Sequence, residues 1–367
     1  MAALASSGGD DVVSELFVVS DLHAGDRSNM RYLTSLPVRR RGALIVAGDV
    51  DEDLGVLAET LRVCRDKFRG GVFFTPGNHD LWLCGGERDS LKKLDAVLET
   101  AEAAGCATTR RLVRGGAGRR SALVVPLLSW HHASFDTEPP ITCWGGLPPA
   151  RAVMSDYHNC RWPKPLDDAT DSVARHVDAL NDARDAGGPA VERKDVDVVS
   201  FSHFLPRIEL IPEKRYMFLP CLAESVGSVF LGERVRRLRP DLHVFGHTHL
   251  AWDATHDGVR YIQACLAYPG EWRSRPASLE IGTIRTGPLK VWDAATGLCP
   301  YLGAKWSSYY EKYPRRPDVT HILPPYSAAR YAPLEGADVR DIYDHVPPLE
   351  HPRRVYPGAT WAEKRPC

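Results

Sequence analysis

Five short groups of residues stand in fixed order along this chain of 367 residues: Asp21-Leu22-His23, Gly48-Asp49, Gly77-Asn78-His79-Asp80, Ser202-His203 and Gly246-His247-Thr248-His249. They offer carboxylate, amide and imidazole donors in the mixture that a pair of transition-metal ions needs. A carboxylate has two oxygens and can bridge two cations, which one imidazole cannot do. An amide oxygen such as that of Asn78 fills a coordination place without adding charge. Taken singly, each group has an ordinary use, since Gly-Asp is a common turn and a histidine at a strand end can be a satisfied core residue. Together and in order they point to a two-metal hydrolase. The candidate ligands are Asp21, His23, Asp49, Asn78, His203, His247 and His249. Such a nitrogen and oxygen set suits iron, manganese, zinc or nickel, and is poorer in oxygen than magnesium or calcium sites. The expected cofactor is therefore two divalent or trivalent ions, with manganese, iron or zinc foremost.

These residues need elements to position them. Apolar runs of four to six residues cover 16–19, 43–47, 123–128, 196–201 and 242–245, with a shorter one at 72–74. Several are β-branched and lack polar alternation, as strands buried on both faces do. Asp21 and His23 follow one run, and His247 and His249 another. In extended backbone, residues two apart point to the same side, so Asp21 and His23 are expected to reach one ion, and His247 and His249 are expected to share a side in the same way. Gly48 lets the chain turn so that Asp49 projects. Between the runs, 54–68 and 90–104 carry apolar residues at helical spacing. Alternating strands and helices predict an α/β fold, its sheets covered by helices and its site at the strand ends.

Two stretches break this rhythm. Residues 129–168, rich in Trp, His, Pro and Tyr, read as an ordered insertion. Residues 301–367, rich in Pro and Tyr, read as an extended tail packing on a main domain over 12–300. Residues 110–120 read as an exposed turn between strands.

Composition narrows the class. Lys plus Arg is 46 and Asp plus Glu is 47, so a formal charge of -1 carries no sign of a general nucleic-acid or anionic-membrane binder. Nine scattered cysteines without a C-x-x-C suit reduced thiols inside a cell. No apolar run approaches 18 residues, and 1–11 lack the pattern of a signal peptide. The expected location is the cytoplasm. Nothing in the pattern sets an oligomeric state.

The five groups resemble the calcineurin-like metallophosphoesterases, whose pattern is D-x-H, G-D, G-N-H-[DE], H and G-H-x-H; every element is present between Asp21 and His249. Residues 129–181 also look like those of uncharacterised plant and algal members. The resemblance implies a two-layered β-sandwich flanked by helices, with metals at the strand ends. It implies that Asp21, His23 and His249 hold one ion, that Asn78, His203 and His247 hold the other, and that Asp49 bridges them. His79 would then be no ligand; it would sit beside the substrate phosphoryl group and, when positive, give a proton to the leaving oxygen or stabilise charge in the transition state. Asp80 would bond to the His79 ring and fix its tautomer. A water activated by both metals would attack phosphorus without a covalent phosphoenzyme.

Departures from subgroups narrow this further. Protein phosphatases of the calcineurin and type-1 group resemble each other in an Arg soon after the bridging Asp. Here the chain reads Gly48-Asp49-Val50-Asp51-Glu52-Asp53, leaving Arg27, Arg31 or Arg207 as substitutes. Glu52 stands where purple acid phosphatases place a metal-binding Tyr, so a tyrosinate–iron site is not expected. The leading expectation is a phosphate monoesterase acting on a small molecule or a phosphoprotein. A phosphodiesterase or nucleotide hydrolase is the alternative, and a catalytically silent scaffold comes last. Trp130, His131, His132, Trp144, Arg151, Tyr157, His158, Arg161 and Trp162 could wall the metals. Packing the insertion down is the more ordinary use of its aromatics.

Overall fold

Each apolar run singled out above becomes a strand. The computed structural model describes residues 12–143, 147–185, 188, 193–217, 219–321 and 323; Trp144 and the tail beyond 323 lie outside the described residues. In chain order the strands are β1 (Glu15–Val19), β2 (Gly42–Ala47), β3 (Gly71–Thr75), β4 (Arg111–Val113), β5 (Ser121–Pro126), β6 (Val196–Phe201), β7 (Leu242–Phe245), β8 (Trp252–His256), β9 (Val259–Gln263), β10 (Leu289–Asp293) and β11 (Gly297–Leu298). The helices are α1 (Arg27–Ser35), α2 (Leu54–Lys67), α3 (Ser90–Ala103), α4 (Ala150–Val153), α5 (Asp156–Asn159), α6 (Ser172–Asp185), α7 (Val229–Leu238), α8 (Pro269–Ser274) and α9 (Lys305–Lys312).

Two mixed sheets result. One has the order β11-β10-β1-β2-β3, the other β4-β5-β6-β7-β9-β8. The central strands β1, β2 and β3 run parallel, as do β5, β6, β7 and β9, while β10 and β8 pair antiparallel at their margins. Alternation in the second sheet explains its unbroken apolar runs. Val124, Val199 and Val244 join the apolar cluster that also holds Val18, Ile45 and Phe74 of the first sheet. Their neighbours Leu123, Val125, Val198 and Phe245 point the other way, into a second cluster with Leu231 and Val235 of α7. Both faces are covered, so neither needs polar residues. This is the expected α/β architecture of two sheets flanked by helices.

Three features differ from the sequence reading. The start of the expected extended tail is a helix, α9, because Trp306 and Tyr309, one turn apart, bury into the second cluster. Residues 111–113, expected in a turn, pair with β5. The hairpin β8–β9 is absent from the apolar runs; it turns on Asp257 and Gly258, both at positive φ (51° and 79°), as two-residue hairpin loops require. Among the described residues no helix is long and apolar enough to cross a membrane.

Candidate metal centre

The five groups meet because each follows the carboxyl end of a parallel strand. Asp21, Asp49 and Asn78 come after β1, β2 and β3; His203 and His247 come after β6 and β7. Ser20 stitches the two sheets together, donating N–H to Ala264 O (3.0 Å) and accepting from Leu266 N at 2.9 Å. Extended backbone does not aim these donors. Asp21, His23, Asp49, His247 and His249 all have positive φ, between 41° and 75°. Non-glycine residues rarely take this conformation, and a cluster of them at one place is how strain is stored at functional sites. The strands stop, and left-handed kinks aim the donors instead.

Two glycines allow the loops to close. A Cβ on Gly77 would stand 2.2 Å from Asp49 Oδ1, and one on Gly48 (φ 82°) would stand 2.6 Å from Gly77 N. Only hydrogen fits in either place.

The donors form two adjoining sets. In the first, His23 Nε2 lies 3.0 Å from His249 Nε2, which is 3.3 Å from Asp21 Oδ1. In the second, Asn78 Oδ1 lies 2.9 Å from both His203 Nε2 and His247 Nδ1. Asp49 Oδ2 stands 3.4 Å from His203 Nε2 and 3.9 Å from His79 Nε2, between the sets, while Oδ1 accepts the His79 backbone N–H. The far nitrogens of three rings are committed to oxygen: His203 Nδ1 to Ala47 O (2.9 Å), His247 Nε2 to Ser225 O (3.0 Å) and His249 Nδ1 to Glu271 Oε2 (2.6 Å). Each must donate there, so the near nitrogens present lone pairs to one another. Three acceptors converging at 2.9 Å repel unless a cation or proton stands among them. The donor set therefore fits metal ions.

The electrostatics agree. Burial favours neutral histidine, yet the Glu271 and Asp21 carboxylates lift His249 to about 10. His23 moves the other way, pushed down to about 3 by burial and by His249. Burial opposes protonation of His203 too, but Asp49 raises it to about 9. In the metal-free protein, protons thus take the place a cation would fill.

Asp80 faces the backbone of the Asp49 loop. Its two oxygens accept four backbone N–H groups, from Asp49, Val50, Asp51 and Gly77, at 2.7–3.0 Å. It shapes the Asp49 loop. Burial and the Asp49 carboxylate push Asp80 up to about 7. His79 is half-buried, with Trp82 packed on its ring at a centroid distance of 3.7 Å.

A cleft of about 450 Å³ opens beside His79, lined by His23, Trp82, Tyr268 and, from the insertion, His158 and Arg161. The other insertion aromatics mostly pack: Trp130 is buried, 4.8 Å from Trp162 and 5.4 Å from Phe204 between ring centroids. Arg207 is tied to Glu209 and Asp257, and Arg31 to Arg27 O and Ser28. Arg161 is the cation that the fold brings to the cleft. Two carboxylates behind the donors escaped the sequence reading. Glu271 holds His249, and Asp156 accepts from Asn78 Nδ2 at 2.8 Å. Neither stands in a motif or near its partner in the chain.

The fold and this donor set define a metallophosphoesterase. The chain belongs to the calcineurin-like phosphoesterase family, whose model matches residues 15–251, and is accordingly a phosphoric ester hydrolase. It is similar to the acyl-carrier-protein phosphodiesterase PptH of Mycobacterium tuberculosis (strain ATCC 25618 / H37Rv), with 28% identity over 286 residues, 73% of this chain and 83% of that protein. Its fold is similar to that in the crystal structure of phosphopantetheinyl hydrolase (PptH) from Mycobacterium tuberculosis, with a TM-score of 0.54, 24% identity, and coverage of 72% of this chain and 94% of that one.

Proposed function

We propose that this protein is a dinuclear metal-dependent phosphodiesterase. Asp21, His23 and His249 would hold one ion, Asn78, His203 and His247 the other, and Asp49 would serve both. The observation that carries this is the convergence of imidazole nitrogens on Asn78 Oδ1 and of His23 on His249, with Asp49 between the two sets. Manganese, iron or zinc suits the donors. When bound, the pair supplies Lewis acidity and makes water a stronger nucleophile at neutral pH.

The chain's own residues do the rest. The water oxygen forms the new bond to phosphorus and releases its proton to solvent, the bond to the leaving oxygen breaks, and His79, beside the cleft, gives that oxygen a proton and is reprotonated from solvent. Trp82 limits how the His79 ring can turn. Asp80 keeps Asp49 in register through the four N–H contacts.

The sequence alone ranks a monoester first. The activity named for the relative, which this chain matches over 83% of its length, supports the diester instead. So does the cleft, which has room for the second arm of a diester and the exposed Arg161 to meet its polar groups. A phosphopantetheinyl group on a carrier protein is the first substrate to offer. The free cysteines of the described residues suit the cytoplasm.

The test is metal content of the purified protein, followed by hydrolysis of bis(p-nitrophenyl) phosphate against p-nitrophenyl phosphate and release of phosphopantetheine from a holo-carrier protein. About two ions per chain and diester preference are expected. Monoester preference would overturn the diester assignment, and an inactive protein that binds no manganese would overturn the whole reading.

A further inference from the structure

Behind Asn78 a second group of buried side chains meets, drawn partly from the insertion. Asp156, at the first position of α5, is buried, and its Oδ1 accepts two hydrogen bonds. One comes from Asn78 Nδ2 and the other from Trp82 Nε1, both at 2.8 Å. Its Oδ2 lies 3.3 Å from Nε2 of buried His131, just beyond β5. Trp82 in turn packs on the His79 ring. A single carboxylate oxygen therefore touches one donor of the second metal set and the indole that supports the candidate acid.

The chemistry asks for an anion here. A side-chain amide can turn by half a revolution and exchange its oxygen for its NH2. Nothing in Asn78 itself prefers one orientation. With the NH2 anchored on Asp156, the oxygen must face His203 and His247, where it stands 2.9 Å from each. The reverse orientation would aim two N–H groups at the place a cation needs. A carboxylate also accepts two N–H groups at once more strongly than a neutral oxygen does. Removing it would strand the indole N–H and the amide in a buried place.

We propose that Asp156 is a positioning residue: it sets the Asn78 amide for its metal and holds the Trp82 indole under His79. Through it the insertion at 129–168 fixes the geometry of the reaction centre, besides walling the cleft. This inference rests on the dinuclear reading above.

The experiment compares the full-length protein with Asp156→Ala and Asp156→Asn. Two readouts are taken. The first is manganese affinity by chelator competition. The second is the indole N–H resonance of Trp82 in metal-free protein, assigned with Trp82→Phe. Asp156→Ala is expected to weaken one of the two manganese ions by about 10–100-fold and leave the other in place. The Trp82 resonance should move upfield and exchange faster with solvent, and kcat should fall more than KM rises. Asp156→Asn, which keeps an oxygen but no charge, should lie between wild type and Ala on both readouts. A folded Ala variant with two ions at wild-type affinity and an unmoved Trp82 resonance would overturn the proposal. If Ala does not fold, an Asn variant identical to wild type on both readouts does the same. Wild-type protein holding fewer than two ions would sink the dinuclear reading, whereas the metal-free Trp82 resonance judges the Asp156 contact by itself.

Discussion

His249 donates its Nδ1–H to Glu271 Oε2 across 2.6 Å, and this leaves Nε2 aimed at His23 and Asp21. Arg275 closes on the other oxygen of Glu271. Burial alone would raise Glu271, but His249 and Arg275 hold it well below the usual carboxylate range. Such a carboxylate fixes the ring's tautomer and makes it a stronger donor. Glu271→Gln is expected to weaken manganese at the Asp21–His23–His249 set by about 10–100-fold. Chelator competition measures this, with the urea midpoint as a control for folding. Unchanged affinity would show that other contacts suffice to hold the ring.

The two facing glycines make a second prediction. Alanine at Gly77 would drive a methyl into Asp49, and alanine at Gly48 would meet Gly77 N while keeping φ at 82°. Each is expected to lower stability by about 1–3 kcal/mol and to reduce turnover, since Asp49 must move. Because they press on the same contact, the double variant should lose less than the two single losses combined. Urea unfolding of all three variants decides it, and strict additivity would count against a shared contact.

Metal removal should unfold the protein more easily. Without cations, the carboxylates of Asp21 and Asp49 and their histidines stay buried against one another. Ions that bind only the folded chain stabilise it by about 2.7 kcal/mol at a hundredfold excess over Kd. Chelation should therefore lower Tm, and manganese should restore it. Rebinding should release protons, because imidazole must be neutral to coordinate. Calorimetry in two buffers of different ionisation enthalpy would show this, and equal heats in both would contradict it.

A buried histidine away from the donors predicts the acid response. His243 lies between Ser200 Oγ (2.8 Å, at Nδ1) and Ser202 Oγ (3.0 Å, at Nε2). Ser202 already donates to Phe204 O, so His243 donates from Nε2 and accepts at Nδ1. Burial pushes its pKa from 6.5 down to about 3. The unfolded chain takes up a proton below 6.5 that the folded chain refuses. This contribution is thus fully present above pH 6.5 and is lost by ~1.4 kcal/mol per pH unit as pH falls toward 3. His243→Gln should flatten the acid limb of the metal-free protein by up to about one proton. Parallel curves for the two proteins between pH 6 and 5 would refute it.

Much of this protein is legible in its residues taken locally. An apolar β-branched run followed by Gly-Asp or Gly-Asn-His announces both a strand and a donor at its end, because both signals lie within about ten residues. The runs before Asp21, Asp49, Asn78, His203 and His247 all formed strands, and their order pointed to the family. The β8–β9 hairpin carries an Asp-Gly turn signal, but its strands lack the unbroken apolar run that marks the others.

Other decisions belong to the tertiary structure alone. Strand alternation could not aim Asp21, His23, His247 and His249, since positive φ at each replaced it, and that strain persists only when packing on both sides enforces it. Glu271 reaches His249 from 22 residues away, and Asp156 reaches Asn78 from 78 residues away. No periodicity links such positions. Donor types and strand ends follow from short-range chemistry, whereas the carboxylates that orient the donors arrive from α8 and α5, placed only once two sheets and an insertion have packed.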